Sequence, residues 1–596
     1  FGIESNRLAH CEIPTKMNLF KCQKKVSTDL PLLGLLMCVC LIGCSEKKTP
    51  LPEDFSDARI QRMIESEEMV LKLTPKLRAL GASIVSGSRG DLPEAVAGEA
   101  SIPPWNNLEP THRWINASFG TLSAEFKDGG FLMKTKFEGV RRGEDGTIVG
   151  VMAKQKFVWK KKEGTEDQWK LVKWLPLTFE TDESPQPLFE EVLDQAIPDQ
   201  KARAKARKSY HEEVLRKTIA GESAIVGRFK IKLPPDMEST YQYPTVSVVD
   251  YDGDGHEDFF LSARWVAPQL FRNLGDGTYK DVTAEAGLMP DSYVNTAVFA
   301  DFDNDGDPDA LLGRSYEPTL YYRNDGGRFT DVTATLTDLG KQYLVSAMAV
   351  SDVNGDGLLD VYLSTYSPVA NIDNLKHKLL SPEQVKKLDE AFQDSTPFLN
   401  ERGVANVLLM NRGGGRLERA GGDVVKLWRK SYQPLWFDAD NDGDDDLYVC
   451  NDFGPDTFLR NDTPRGAAEP ILVDKFTEVF PDGVMAFGMG ASVGDYDNDG
   501  DLDLFVSNMY SKAGNRIVPA IGKSDPRILV AARGNFLYRN DGGVFRQAAN
   551  SDAPETKVGW AFGGQFADFN NDGLLDLYVP SGLYTAPKEV ATEVDL

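Results

Sequence analysis

With 596 residues, 41% of them hydrophobic and 10% aromatic, the chain has the apolar material for a substantial core, and size alone leaves room for several domains. Its formal net charge of -25, from 91 acidic against 66 basic residues, excludes a nucleic-acid partner, because nothing would neutralise phosphates. Five of the six cysteines lie at or before Cys44, which excludes a disulfide framework in the folded region and leaves Cys450 as a small buried hydrophobe.

Residues 1–44 read as a signal region. Met17 opens a basic stretch with Lys21, Lys24 and Lys25, and Leu30 to Ile42 is an apolar run too short to span a bilayer but right for a signal core. Residues 1–16 precede the first Met and lack signal character, as an upstream misannotation would. The run ends in Leu41-Ile42-Gly43-Cys44, which resembles the lipobox of bacterial lipoproteins. That resemblance implies cleavage before Cys44 and diacylglycerol on its sulfur. Ser45 follows it rather than Asp, which by the same analogy favours the outer membrane or cell surface. Residues 45–54, with two prolines and mixed charges, read as a tether.

Residues 55–225 carry no signature and read as a small α+β domain. Apolar positions from Ile60 to Leu73 have helical spacing, and Pro75 is expected to interrupt the helix. Residues 81–104 read as a loop, and Phe131–Val140, Ile148–Trp159 and Trp169–Trp174 as strands, the last two forming a hairpin. Trp114, Trp159, Trp169 and Trp174 read as core. Residues 187–220 return to a helical pattern, stopped by Gly221. A helix followed by a curved antiparallel sheet resembles the NTF2-like cone.

From residue 226 onward the chain is organised by one nine-residue pattern written six times. Its copies are Asp250, Asp252, Asp254, Asp258; Asp301, Asp303, Asp305, Asp309; and Asp352, Asn354, Asp356, Asp360. The other three are Asp438, Asp440, Asp442, Asp446; Asp495, Asp497, Asp499, Asp503; and Asp568, Asn570, Asp572, Asp576. Oxygen-bearing side chains fall at positions 1, 3, 5 and 9, with Gly at position 6. Alternate carboxylates on a tight turn suit Ca²⁺, which takes six to eight oxygens, and the Gly permits the positive φ of the turn. Up to six Ca²⁺ sites are expected, weaker in the third and sixth loops, where Asn354 and Asn570 each remove one negative charge.

Each loop is entered and left by short strand-like runs, such as Thr245–Val249 and Phe259–Leu261. Five units then carry a hairpin such as Tyr321-Tyr-Arg-Asn-Asp-Gly-Gly-Arg-Phe329. Four strands at a period of about 50 residues describe a propeller blade. These loops, with Phe487-Gly488-Met-Gly-Ala491 before the fifth, resemble FG-GAP/VCBS repeats, as in integrin α-subunit propellers. The nearest resemblance is to bacterial relatives of the UnbV/ASPIC, cartilage acidic protein group. It covers roughly residues 240–585 and implies a mainly β fold: a calcium-binding β-propeller, seven-bladed in the complete protein, with six repeat motifs present here. The sixth unit lacks its hairpin, so the expectation is either a fragment or closure by a strand around Arg228–Leu233.

The strand-two-to-three loops fall on the face opposite the calcium loops and hold two insertions, about 366–405 and 510–534. Trp265, Tyr316, Tyr366, Phe453, Tyr510 and Tyr584 recur shortly after the last Asp of each loop. They read either as packing between blades or as a ring that stacks on a glycan or protein partner. Gly490-Ala-Ser492-Val-Gly494 matches the serine-hydrolase pattern, but Ser492 lies in a strand feeding an Asp loop rather than in a strand–turn–helix elbow. Two functions are compatible with these features. The first is a lipid-anchored extracytoplasmic calcium-binding module for adhesion or ligand binding, with an extracellular protein or glycan as partner and the membrane reached only through the lipid. The alternative is a propeller-hosted enzyme acting on extracellular polysaccharide or phosphoester.

Overall fold

The computed structural model describes residues 58–86, 113–208, 224–231, 245–366, 404–510, 530–548 and 558–580, some with short interruptions. Cys44 and the rest of the signal region lie outside them, as do most of the two insertions.

Helix α1 (Ala58–Ser86) runs through Pro75 without stopping. Val70, Leu73, Leu77, Leu80 and Ile84 form one buried stripe, while Pro75 sits on the exposed face. A Pro inside a helix costs about 3 kcal/mol. Burying a single Leu contributes roughly 1.5–3 kcal/mol, so a stripe of five outweighs the break. The same burial carries the helix past residue 81, into the stretch expected as loop.

The stripe packs on a four-stranded antiparallel meander of β1 (Arg113–Lys127), β2 (Gly130–Arg142), β3 (Ile148–Lys161) and β4 (Trp169–Ser184). Phe131, Met133, Phe137, Val151, Phe157, Trp159 and Trp174 face the helix, and Trp114 and Trp169 pack partly buried at the margin. A buried polar pair in this sheet is half satisfied: Gln155 Nε2 donates to Thr135 Oγ1 at 2.8 Å, while Gln155 Oε1 is buried without a donor. Beyond the sheet the helical pattern resolves into α2 (Leu193–Ala196) and α3 (Gln200–Arg207). Pro198 separates them, since a residue before Pro is disfavoured in helical geometry. Asp199 caps α3 by accepting from Ala202 N. Residues 209–223 lie outside the described set.

β5 (Ala224–Val226) and β6 (Phe229–Ile231) pair with each other as a small hairpin. The strand expected near Arg228–Leu233 is therefore present, but its described partner is β5 rather than the last repeat. Only two residues separate β5 from β6, so the local pairing is the shorter closure.

The repeats come next as five four-stranded antiparallel sheets. The first is β7 (Thr245–Val249), β8 (Asp258–Ala263), β9 (Val266–Asn273) and β10 (Tyr279–Asp281). The second is β11 (Val294–Ala300), β12 (Asp309–Arg314), β13 (Leu320–Asn324) and β14 (Phe329–Asp331). The third is β15 (Val345–Ser351), β16 (Asp360–Thr365), β17 (Val407–Asn411) and β18 (Leu417–Arg419). The fourth is β19 (Lys430–Phe437), β20 (Asp446–Asp452), β21 (Thr457–Asn461) and β22 (Leu472–Asp474). The fifth is β23 (Gly490–Gly494), β24 (Asp503–Ser507), β25 (Phe536–Asn540) and β26 (Phe545–Gln547). A sixth unit shows β27 (Gln565–Ala567) and β28 (Asp576–Tyr578). Each first strand neighbours the first strand of the next sheet, so these strands gather at the centre, the radial order of propeller blades.

Second strands such as β12, β16 and β20 are buried at every residue, because both faces of an inner strand meet a neighbouring blade. First strands are tied across blades by polar groups: Ser247 Oγ donates to Ala297 O at 2.8 Å and Asn295 Nδ2 to Val345 O at 2.7 Å. Among the described residues no helix is long and apolar enough to cross a membrane.

Candidate metal loops and the hairpins that close them

All six Asp loops connect the first and second strands of their units, and all share one internal bonding scheme. The position-1 carboxylate accepts the N–H groups of positions 5 and 6; Asp301 does so from Asp305 and Gly306 at 3.1 and 2.9 Å. The position-5 carboxylate accepts from position 7, as Asp305 does from Asp307 N at 3.0 Å. Two residues of each loop take positive φ. Gly at position 6 was expected; position 4 is the second, held by Asn304, Asn441, Asn498 and Asn571 at φ 58–60° and by Gly253 and Gly355. Asn tolerates this region better than other side-chain-bearing residues, so its recurrence at position 4 was a readable signal.

Position 9 behaves differently. Asp258, Asp309, Asp360, Asp446 and Asp503 are buried. In each, Oδ1 accepts the backbone N–H of the hairpin Asn of the same blade, as Asp309 does from Asn324 at 2.8 Å. Oδ2 accepts the N–H of loop position 2 in the first, second, third, fifth and sixth units. This carboxylate therefore staples loop to hairpin as well as facing the loop. Burial, partly offset by these N–H bonds, pushes Asp309 and Asp503 up to about 6, and Asp360 and Asp446 up to about 7.

The hairpin Asn residues were expected only as turn formers. Their side chains instead join consecutive blades. Asn324 Nδ2 donates to Tyr251 O of the preceding loop at 2.8 Å, and Asn411 to Phe302 O at 2.7 Å. Asn461 reaches Val353 O and Asn540 reaches Ala439 O, both at 2.9 Å. The hairpin backbone closes on the same loop: a Cβ on Gly327 would stand 3.0 Å from Asp252 Cβ, and one on Gly543 2.9 Å from Asp440 Cβ. The first four loops are thus walled by the next blade. Recurrence of Asn in five hairpins was the available signal; its target, a carbonyl in another repeat, lies in no local pattern.

Carboxylate oxygens from three residues come within 4.8 Å of one another in four loops: Asp250, Asp252, Asp254; Asp301, Asp303, Asp305; Asp438, Asp440, Asp442; and Asp495, Asp497, Asp503. Such groups could hold a metal ion. The fit is supported by orphaned acceptors: Asp252 Oδ1, Asp303 Oδ1 and Asp444 Oδ1 are buried with no hydrogen-bond donor. Burial and then the like charge of neighbouring carboxylates push Asp303 and Asp440 above the usual range, strain that a bound cation would relieve. In the third and sixth loops the amide enters among the oxygens: Asn354 Nδ2 donates to Asp356 Oδ2 and Asn570 Nδ2 to Asp572 Oδ2, each at 3.0 Å.

A family profile described as an FG-GAP-like repeat matches residues 250–312, 301–363, 438–506 and 525–579. The chain carries FG-GAP-like repeats. The match reaches the repeat and not a narrower group such as UnbV/ASPIC. No curated protein matches the sequence. Among solved structures, the BBS1N–ARL6DN complex soaked with lead aligns at 9% identity and a TM-score of 0.25, over 45% of this chain and 77% of that one. The sialidase of Trypanosoma rangeli, in complex with 2,3-difluorosialic acid as a covalent intermediate, aligns at 9% identity and a TM-score of 0.20, over 58% of this chain and 53% of that one. Scores this low carry no argument about this chain.

Of the six aromatics expected on the face opposite the loops, Trp265, Tyr316 and Tyr584 lie outside the described residues. Tyr366 is buried, stacks on Tyr432 of the fourth blade with centroids 4.5 Å apart, and donates to Asp452 Oδ2 at 2.8 Å. Phe453 meets Phe487 of the fifth blade edge-on and carries the Lys430 ammonium 4.8 Å above its ring. Tyr510 is half-buried and donates its backbone N–H to Gly559 O. These three are engaged between or beside blades. Ser492 is buried in β23, where its Oγ accepts from Phe566 N of the next unit. Outside the loops, the buried carboxylates among the described residues are Asp452 and Asp456, and the second accepts from Tyr448 Oη and Asn451 N. Cys450 is free and fully buried.

Proposed function

We propose that the protein is a calcium-stabilised propeller exported as a lipoprotein through Cys44 and serving, outside the cytoplasm, as an adhesion or ligand-binding module for a protein or glycan. The observation that carries the calcium reading is the convergence of three carboxylates in four separate loops, with unmatched buried oxygens at Asp252 and Asp303. Ca²⁺ prefers such an all-oxygen set. When bound, it would supply positive charge to Asp301, Asp303 and Asp305 and their counterparts, and so hold the first, second and fourth loops against the hairpin of the next blade. The buried carboxylates outside the loops, Asp452 and Asp456, are each bonded into blade structure, which favours a binding role over a hydrolase.

The test is calorimetric, on the mature chain with chelator and with calcium. Each loop filled at roughly a hundredfold excess over its Kd adds about 2.7 kcal/mol. A rise in melting temperature together with several bound ions is expected. A melt indifferent to calcium, with no ion taken up, would overturn the reading.

A further inference from the structure

The first loop differs from its siblings in what faces it. In the second, fourth and fifth blades the Arg of the Arg-Asn hairpin pairs with an Asp two residues on. Arg323 pairs with Asp325 at 2.9 Å, Arg460 with Asp462 at 2.8 Å and Arg539 with Asp541 at 2.8 Å. In the first blade that place is taken by Leu274, which is 49% exposed. Arg272, with no carboxylate at that place, turns into the loop instead. Its Nε stands 2.7 Å from Asp252 Oδ2, and its second guanidinium nitrogen donates to Asp254 Oδ2 at 2.9 Å.

We propose that Arg272 is a built-in cation for the first loop, competing with Ca²⁺ for the carboxylates of positions 3 and 5. This rests on the calcium reading above and refines it: the loops form classes that a count of Asp residues does not reveal. By sequence the first loop has a full Asp set and equals the second, fourth and fifth. By geometry two of its carboxylates, Asp252 and Asp254, are already engaged by a guanidinium from the hairpin of the same blade. Loops two, four and five are the stronger calcium sites; in loop one the ion must displace Arg272 from Asp252 and Asp254.

Two variants test this from opposite directions in the full mature chain, with calcium itself as the titrant. Arg272→Gln removes the competitor. Leu274→Asp keeps Arg272 and restores the hairpin carboxylate that draws it away in the other blades. Both are expected to gain one calcium ion, or to tighten one site, abolished by Asp254→Asn, about tenfold. The gain should vanish when Asp254→Asn is added. In chelator, Arg272→Gln is expected to melt below wild type, because the loop loses the cation that matches its charge. The proposal is overturned if both single variants titrate as wild type does, or if Arg272→Gln leaves the chelator melt unchanged. The two readings fail differently. A flat wild-type titration sinks the calcium reading and the competition with it, whereas a multi-site wild-type titration matched by both variants sinks Arg272 alone.

Discussion

Asp456 stands where two other blades use an amide. Asn406 Oδ1 accepts Thr365 N, and Asn535 Oδ1 accepts Asn508 N, each closing the turn from second strand to third. Asp456 Oδ1 does the same for Asn451 N at 2.7 Å, while its Oδ2 accepts from Tyr448 Oη at 2.7 Å. Burial pushes this carboxyl from 3.8 up to about 7, the two hydrogen bonds and the more distant Arg429 opposing the shift. Because the folded value is the higher one, the native state binds the proton more tightly. The stability this gives is full below about pH 4 and is lost as the pH climbs through 7. Asp456→Asn should therefore gain on wild type between pH 5 and 8 and flatten the pH dependence of melting. Thermal melts of both proteins across that range check this; parallel curves would refute it.

The element that matters most is the pair formed by one loop and the next hairpin. Asn540 is buried, and its amide serves both Ala439 O of the preceding blade and Leu502 O of its own. Asn540→Ala strands these carbonyls, at a cost of about 1–3 kcal/mol. Asn273 is only half-buried and bonds within its own blade, to Glu257 O at 3.1 Å, so Asn273→Ala is expected to cost less. Urea denaturation of the two variants in calcium gives the comparison. Strand pairs and loops of this kind were legible in sequence because period-two runs and Asp spacing are local. The clasp was not, since its acceptor lies in another repeat. Nor was β1, whose register slips between Trp114 and Asn116 and again between Thr121 and Ser123, so that one continuous period does not run through it, and which is held by pairing with β2. Arg272 was unreadable for a third reason: only comparison of hairpins in space shows where a guanidinium goes when residue 274 is not acidic.

At the scale of the whole molecule the charge is concentrated. Four of the loops bring three carboxylates within a few ångströms, and the formal net charge is -25. Without calcium the loops and the net negative charge also repel one another at long range, and salt at about 0.1 M screens beyond roughly 10 Å. The chelated protein should thus melt higher as sodium chloride is raised. The calcium-loaded protein should gain less or reverse, because salt also weakens ion capture. Melting against salt in both states checks the sign.

Closure by a neighbour is plainest at the third loop. Its Asn354 is bonded to Ala467 O, and Arg465 Nε donates to Gly355 O, both partners lying in the fourth blade's own departure from the usual hairpin. The two irregularities sit in different repeats but form one joint. An isolated blade therefore contains no complete joint, and two consecutive blades contain one. Duplication or exchange of single repeats would carry away a hairpin fitted to a loop left behind. The unit that heredity must keep together straddles the boundary between repeats, and grafting the fourth blade elsewhere would transplant half a lock.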